Sequence, residues 1–70
     1  MRSEITPRML EMIRLRAQGK CVKTISRETG LSANTVADHC SRALVRINAK
    51  SMEHAVAIAA RRGWLDGVEL

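Results

Sequence analysis

Apolar residues recur at helical spacing in four segments of the chain, which short polar or glycine-containing breaks separate. The first segment carries an apolar stripe of Met9, Met12, Ile13 and Ala17. The third carries a longer one, formed by Val36, Cys40, Ala43, Leu44 and Ile47. Residues spaced three and four apart lie on one face of an α-helix. We therefore predict an all-α fold in one domain spanning residues 1–70, with four helices at about residues 7–18, 22–29, 33–47 and 52–62.

Capping residues and a glycine mark the limits of these helices. Thr6 and Pro7 form a typical helix start, because a hydroxyl can accept a free N–H and proline suits the first helical position. Ser32 and Ser51 are expected to cap the third and fourth helices in the same way. Gly30 permits the positive φ that ends the second helix. Two short helices joined by a tight glycine turn are a helix-turn-helix signature.

The third helix has a face that no core needs to bury. Its side chains are small or polar: Asn34, Ala37, Asp38, Ser41 and Arg42. A helix with so little bulk on one face fits the major groove of B-DNA. The alternative is the solvated face of an ordinary helical hairpin.

The charge balance favours a polyanionic partner. Twelve Lys and Arg face seven Asp and Glu, for a formal net charge of +5. We expect the cations on and around the helix-turn-helix to contact phosphates: Lys20, Lys23, Arg27, Arg42, Arg46 and Lys50. Such contacts give salt-dependent affinity but do not identify bases. One Trp, with no Phe or Tyr, argues against an RNA-binding sheet or an OB-fold.

Asp38 has two interpretations. Its carboxylate could accept a hydrogen bond from a cytosine amino group in the major groove. An acid facing DNA also repels phosphates, so Asp38 could equally be a charge that stabilises the helix. The sequence does not separate the two.

The sequence contains no pattern of catalysis or metal binding. Cys21, Cys40, His39 and His54 match no standard zinc spacing, and no acid is placed to orient His39. We predict no catalytic residue, metal or cofactor. No apolar run is long enough to span a bilayer and no signal-peptide pattern opens the chain, so we expect a cytoplasmic protein without membrane contact.

The fourth helix offers a second, small-residue face formed by Val56, Ala57 and Ala60. Small side chains allow two helices to approach closely, so this face predicts a homodimer. The alternative is that Trp64 and Leu65 fold back over part of the same face.

Several short motifs lie along the chain in a familiar order. They are residues 5–8 (ITPR), 17–20 (AQGK), 30–32 (GLS), 34–36 (NTV), 41–42 (SR) and 55–57 (AVA), with Lys23, Ile25, His39, Ser51 and Glu53 between them. Together they closely resemble the DNA-binding domain of the LuxR and GerE family, over nearly the whole chain. The resemblance implies a four-helix domain whose third helix enters the major groove and whose fourth mediates dimerisation on a two-fold-related DNA site.

The resemblance also assigns roles to individual positions. Lys23 and Thr35 match family positions that contact phosphate. The positions that read bases are occupied by Ala37, Asp38 and Ser41. Most family members carry a phosphoacceptor or ligand-binding domain before this module. The resemblance therefore implies either a stand-alone member or a fragment of a larger regulator.

The chain departs from the commonest family pattern at two base-reading positions. Ala37 and Ser41 stand where the family often has Lys or another long side chain. We expect a different operator, with base-specific affinity resting more on Asn34, Asp38 and Arg42.

Two other functions remain compatible with the sequence. Met9 and Leu10 replace usually charged family residues and suggest an apolar contact with a partner such as RNA polymerase or another regulator. With Asp38, they motivate a protein-interaction adaptor or inhibitor. Residues 41–44 (SRAL) resemble the recognition helix of a sigma-factor promoter-binding module, although the helix capped by Ser51 argues against it.

Overall fold

The computed structural model describes residues 5–68, and these form four α-helices with no strand among them. The helices are α1 (Pro7–Ala17), α2 (Val22–Thr29), α3 (Ala33–Arg46) and α4 (Met52–Arg61). The all-α fold class is confirmed. Three helices end one residue before the limit expected from sequence, because Gln18, Ile47 and Arg62 have ψ values near zero instead of helical ones.

Side-chain caps begin three of the helices as predicted. Thr6, Ser32 and Ser51 each accept the backbone N–H of the residue three positions later at 3.1 Å. Each bond satisfies one of the N–H groups that the first helical turn leaves unpaired. The beginnings of α1, α3 and α4 are therefore determined by local sequence.

Two apolar clusters hold the helices together. One joins α1, the second half of α3, α4 and the C-terminal segment through Met9, Ile13, Ala43, Ile47, Ala55, Ala59 and Leu65. The other joins α1, α2 and the first half of α3 through Met12, Ile25 and Val36. Since α1 and α3 contribute to both clusters, one side of α3 is anchored along its length and the opposite side is left to solvent.

The turn between α2 and α3 is closed by side-chain hydrogen bonds. Gly30 takes the left-handed conformation at φ +78°. The Ser26 hydroxyl donates to the Leu31 carbonyl at 2.5 Å, while the Thr29 hydroxyl donates to the Ile25 carbonyl at 2.7 Å and accepts the Leu31 N–H at 3.3 Å. Leu31 also packs against the second cluster. These contacts fix the angle at which α3 leaves α2.

The segment after α4 returns to α1. The Arg14 guanidinium donates to the Trp64 carbonyl at 2.9 Å and to the Asp66 carbonyl at 3.1 Å. Leu65 is buried in the first cluster and Trp64 packs beside it. Trp64 and Leu65 therefore fold back against α1 and the first cluster, but Ala57 and Ala60 stay exposed, so the two residues do not cover that part of the small-residue face of α4. Arg14 is a structural residue.

Met9 does not lie at a partner surface. It is only 3% exposed and belongs to the first cluster, so the expectation that it contacts a partner is wrong. Met9 lies on the apolar stripe of α1, and residues of α4 and the C-terminal segment pack against it in this cluster. Within residues 5–68, no helix is long and apolar enough to cross a bilayer.

Candidate nucleic-acid interface

The four predicted base-reading side chains lie on the exposed face of α3. Asn34, Ala37, Asp38 and Ser41 are all exposed, while Val36 on the opposite face is fully buried. None of the four is covered by the C-terminal segment, which docks on α1. A face of small side chains on an anchored helix can approach another surface closely.

Val45 extends this face and was missed by the sequence analysis. It is 79% exposed, and among residues 5–68 no other large hydrophobic side chain is exposed to this degree. It follows Ser41 by four residues, as Asp38 follows Asn34, so the same helical spacing could have identified it. Together with Ser41, Arg42 and Arg46, Val45 lines a shallow depression of about 200 Å³.

Asp38 and Arg42 form an ion pair on the same helix. The Arg42 Nε and an Asp38 carboxylate oxygen are 3.0 Å apart at i,i+4 spacing. Both side chains are more than half exposed, and a pair of this kind stabilises a helix by only about 0.3–0.5 kcal/mol. Asp38 therefore has the helix-stabilising contact, but it remains accessible to a ligand at little energetic cost.

The cations on and before α2 that are predicted to contact phosphate differ in whether an acidic side chain already pairs with them. Lys23 and Arg27 are exposed and lie one turn apart on the outer face of α2. Lys20 instead forms an ion pair with Glu28, with Nζ 2.8 Å from the carboxylate. A phosphate contact by Lys20 would have to replace this pair, and such a contact is worth less than one made by an unpaired cation.

Three further cations lie towards the end of α3 and beyond it. Arg42, Arg46 and Lys50 are all exposed. The backbone N–H of Lys50 donates to His54 Nδ1 at 3.0 Å, which fixes the backbone there and leaves the ammonium group exposed. Three of the predicted phosphate contacts therefore lie in the last turns of α3 or just beyond it.

Thr35 lies in the first turn of α3 and is part of its cap. The Thr35 and Ser32 hydroxyls are 2.9 Å apart, and the Thr35 N–H donates to the Ser32 oxygen. The first turn of α3 holds no acidic residue, so the positive end of its dipole is not neutralised locally. This helix start favours an anion.

The cysteines and histidines are not grouped into one site. The Thr24 hydroxyl lowers the pKa of the exposed Cys21 thiol to about 7, whereas burial raises the pKa of Cys40 despite the nearby charge of Arg16. His39 Nδ1 is buried and has no hydrogen-bond partner among residues 5–68. Over the same range, no three His, Cys, Asp or Glu side chains are placed to hold a metal ion.

The predicted dimer face on α4 is partly used inside the domain. Val56 is half-buried and packs against the first cluster, whereas Ala57 and Ala60 are exposed. A groove of about 270 Å³ runs beside Val56 between α1 and α4, lined also by Arg16, Ala17, Met52 and Glu53. The small exposed surface of α4 is thus narrower than the sequence suggested.

Comparison with known proteins places these features in a family. A family model described as "Bacterial regulatory proteins, luxR family" (GerE) matches residues 3–59. The chain is 40% identical over 61 residues to a protein of Bacillus subtilis (strain 168) described as "Uncharacterized transcriptional regulatory protein YvfU". That alignment covers 87% of this chain and 30% of the relative, so the chain spans less than a third of that protein. No solved structure gives a significant match.

Proposed function

The chain belongs to the luxR family of bacterial regulatory proteins, and from this membership we propose that it binds double-stranded DNA sequence-specifically as a homodimeric transcription regulator. In this proposal α3 (Ala33–Arg46) lies in the major groove. The observation that carries the proposal is the exposed, small-residue face of α3, which the two apolar clusters anchor from behind. The related transcriptional regulator of Bacillus subtilis supports the same function.

Shape supports a close fit between α3 and the groove. The major groove of B-DNA is about 12 Å wide and admits an α-helix with its side chains. Ala37 and Ser41 add little bulk to the exposed face, so the helix backbone can approach the base edges. In the proposed complex Asn34 reads an adenine, which offers a donor and an acceptor, and Asp38 accepts from a cytosine amino group.

Charge supports the orientation of the domain on the duplex. Lys23 and Arg27 of α2 would meet one phosphate strand, while Arg42, Arg46 and Lys50 would meet the other. Lys20 and the start of α3 at Thr35 would add contacts at the groove edge. These groups would set the register and supply affinity that falls with salt, whereas the base contacts would supply specificity.

A homodimer through α4 completes the proposal. Ala57 and Ala60 leave a small exposed surface on α4, to which the half-buried Val56 is adjacent. Two copies related by a two-fold axis would recognise two half-sites of an inverted repeat. DNA can assist this association, since each copy binds the duplex next to the other.

The decisive experiment is selection of bound duplexes from a random pool, followed by footprinting on the selected sequence. We expect enrichment of an inverted repeat and protection of both half-sites. Failure to shift any duplex at low salt would refute DNA binding, and enrichment of a single asymmetric half-site would refute the dimer alone.

A pair of variants tests the dimer surface directly. Ala60→Glu places a charge in the proposed interface, and Ala60→Gln adds nearly the same volume without the charge. We expect Ala60→Glu to abolish cooperative occupancy of the two half-sites while Ala60→Gln weakens it less. Equal cooperativity in both variants and in the original chain would place the interface elsewhere.

A further inference from the structure

We propose that Val45 is a base-reading residue that recognises the 5-methyl group of a thymine in the major groove. The proposal rests on the DNA-binding function argued above and adds a position that neither the family match nor the sequence assigns. Val45 is 79% exposed, and among residues 5–68 it is the one large hydrophobic side chain that the fold leaves strongly exposed.

The register of α3 places Val45 with the other proposed base readers. Asn34, Asp38, Ser41 and Val45 are separated by four, three and four residues, so they form one strip along the exposed face. From Asn34 to Val45 the strip is about 16 Å long, at 1.5 Å per residue. Val45 therefore continues the strip by one turn beyond Ser41.

Helix stability gives no reason for a valine at this position. Branching at Cβ lowers helix propensity relative to the Lys, Arg or Glu that usually occupy exposed helix positions. Val45 does not belong to either apolar cluster. A local departure of this kind is expected where a residue serves binding instead of folding.

The surroundings of Val45 match the chemistry around a thymine methyl. Val45 lines a shallow depression of about 200 Å³ together with Ser41, Arg42 and Arg46. In the major groove, the thymine methyl is the apolar group that distinguishes A·T from the other base pairs. Arg42 and Arg46 lie one turn apart on the same side of Val45, so they would meet one phosphate strand while Val45 faces the base edges.

The test removes only the methyl group. Starting from a duplex selected from the random pool, each thymidine in turn is replaced by deoxyuridine, which pairs identically but lacks the 5-methyl. We expect one symmetry-related pair of positions at which the replacement weakens binding by about fourfold per half-site, as for the loss of one buried methyl. Val45→Ala should bind the original duplex about as weakly as the unmodified chain binds the deoxyuridine duplex.

The variant and the modified base together form a thermodynamic cycle. With Val45→Ala, deoxyuridine at the same position should cause no further loss of affinity. Val45→Thr keeps one methyl and the side-chain shape, so deoxyuridine should still weaken its binding in part. Circular dichroism checks that folding is unchanged, as expected for so exposed a side chain.

Three results would overturn the assignment while leaving DNA binding intact. The first is a duplex in which no deoxyuridine replacement weakens binding. The second is an equal deoxyuridine effect in Val45→Ala and in the unmodified chain. The third is Val45→Ala with unchanged DNA affinity, which would show that Val45 does not contact DNA. If no duplex is bound at all, the proposed function fails instead.

Discussion

The Arg42 guanidinium and the Asp38 carboxylate are paired at 3.0 Å across one turn of the exposed face of α3. The pair joins a proposed phosphate contact to a proposed base reader, so a change at either residue alters the surroundings of the other. Binding to DNA would require Arg42 to exchange this carboxylate for a phosphate, or to keep it and hold Asp38 in one orientation.

Asp38→Asn removes the acid while keeping the size of the side chain. We expect tighter binding to unrelated duplexes, because the variant lacks a charge that repels phosphates and its Arg42 is free. The slope of log affinity against log salt should steepen by about one, the effect of one additional phosphate contact. Fluorescence anisotropy across a salt series measures both quantities. An unchanged slope would mean that the ion pair with Asp38 does not decide whether Arg42 contacts phosphate.

Lys23 and Lys20 should differ in their contribution to DNA affinity. Lys23→Ala is expected to weaken binding to all duplexes and to lower the salt slope by about one. Lys20→Ala should have a smaller effect, because Lys20 is paired with Glu28 at 2.8 Å.

The control for these two variants is Glu28→Gln, which breaks the pair without removing the lysine. It should raise affinity if Lys20 lies near the duplex. Equal losses for Lys20→Ala and Lys23→Ala would show that the pair opens freely on binding.

Gly30 is expected to stabilise the fold through its backbone alone. Its φ is +78°, and a Cβ added there would meet nothing within 4 Å. Gly30→Ala should therefore lower the free energy of unfolding by about 1–2 kcal/mol, the cost of the left-handed region for a residue with a Cβ. Gly30→Asn should cost less, since asparagine tolerates this region. Urea denaturation measures both, and an equal loss in the two variants would point to a cause other than φ.

Arg14 should hold the C-terminal segment against α1. Arg14→Met removes hydrogen bonds to the Trp64 and Asp66 carbonyls, and we expect a loss of about 1–2 kcal/mol in the free energy of unfolding. The chain has a single tryptophan, so a red shift of its emission would report exposure of Trp64. Arg8→Met is the matched control: it breaks only an exposed ion pair with Glu11, so the expected loss is below about 0.5 kcal/mol with no spectral shift.

The two thiols should react at different rates and with different pH dependence. Because the Thr24 hydroxyl lowers the pKa of Cys21 to about 7, its thiolate fraction rises through neutral pH. Burial raises the pKa of Cys40 and limits access to it. Iodoacetamide should therefore alkylate Cys21 first, with a midpoint near pH 7 that moves upward in Thr24→Val. Faster labelling of Cys40, located by mass spectrometry, would contradict this.

Short-range sequence features were sufficient for much of the architecture. The apolar spacing predicted the all-α fold, and Thr6, Ser32 and Ser51 were recognisable as caps. The family resemblance is confirmed by the match over residues 3–59. Each of these features depends on residues within about four positions of one another, or on their order along the chain.

The sequence also located the exposed face of α3, since a helix anchored by Val36, Ala43 and Ile47 must turn its opposite side outward. Val45 lies on that exposed side as well. It was not recognised as exposed because it is apolar and follows Leu44 of the apolar stripe directly in the sequence. Its spacing of four residues from Ser41 was sufficient to place it on the exposed face.

Only the tertiary structure decided which polar groups are already paired. The bonds from Arg14 to the carbonyls of Trp64 and Asp66 join residues about fifty positions apart, and the Lys20 to Glu28 pair depends on how the loop enters α2. Burial of Met9, where a partner contact was expected, depends on α4 and the C-terminal segment packing over α1. Helical periodicity and capping depend on residues that are close together in the sequence, so they can be recognised from it. The partner of a long side chain depends on how distant segments pack, so only the tertiary structure shows it.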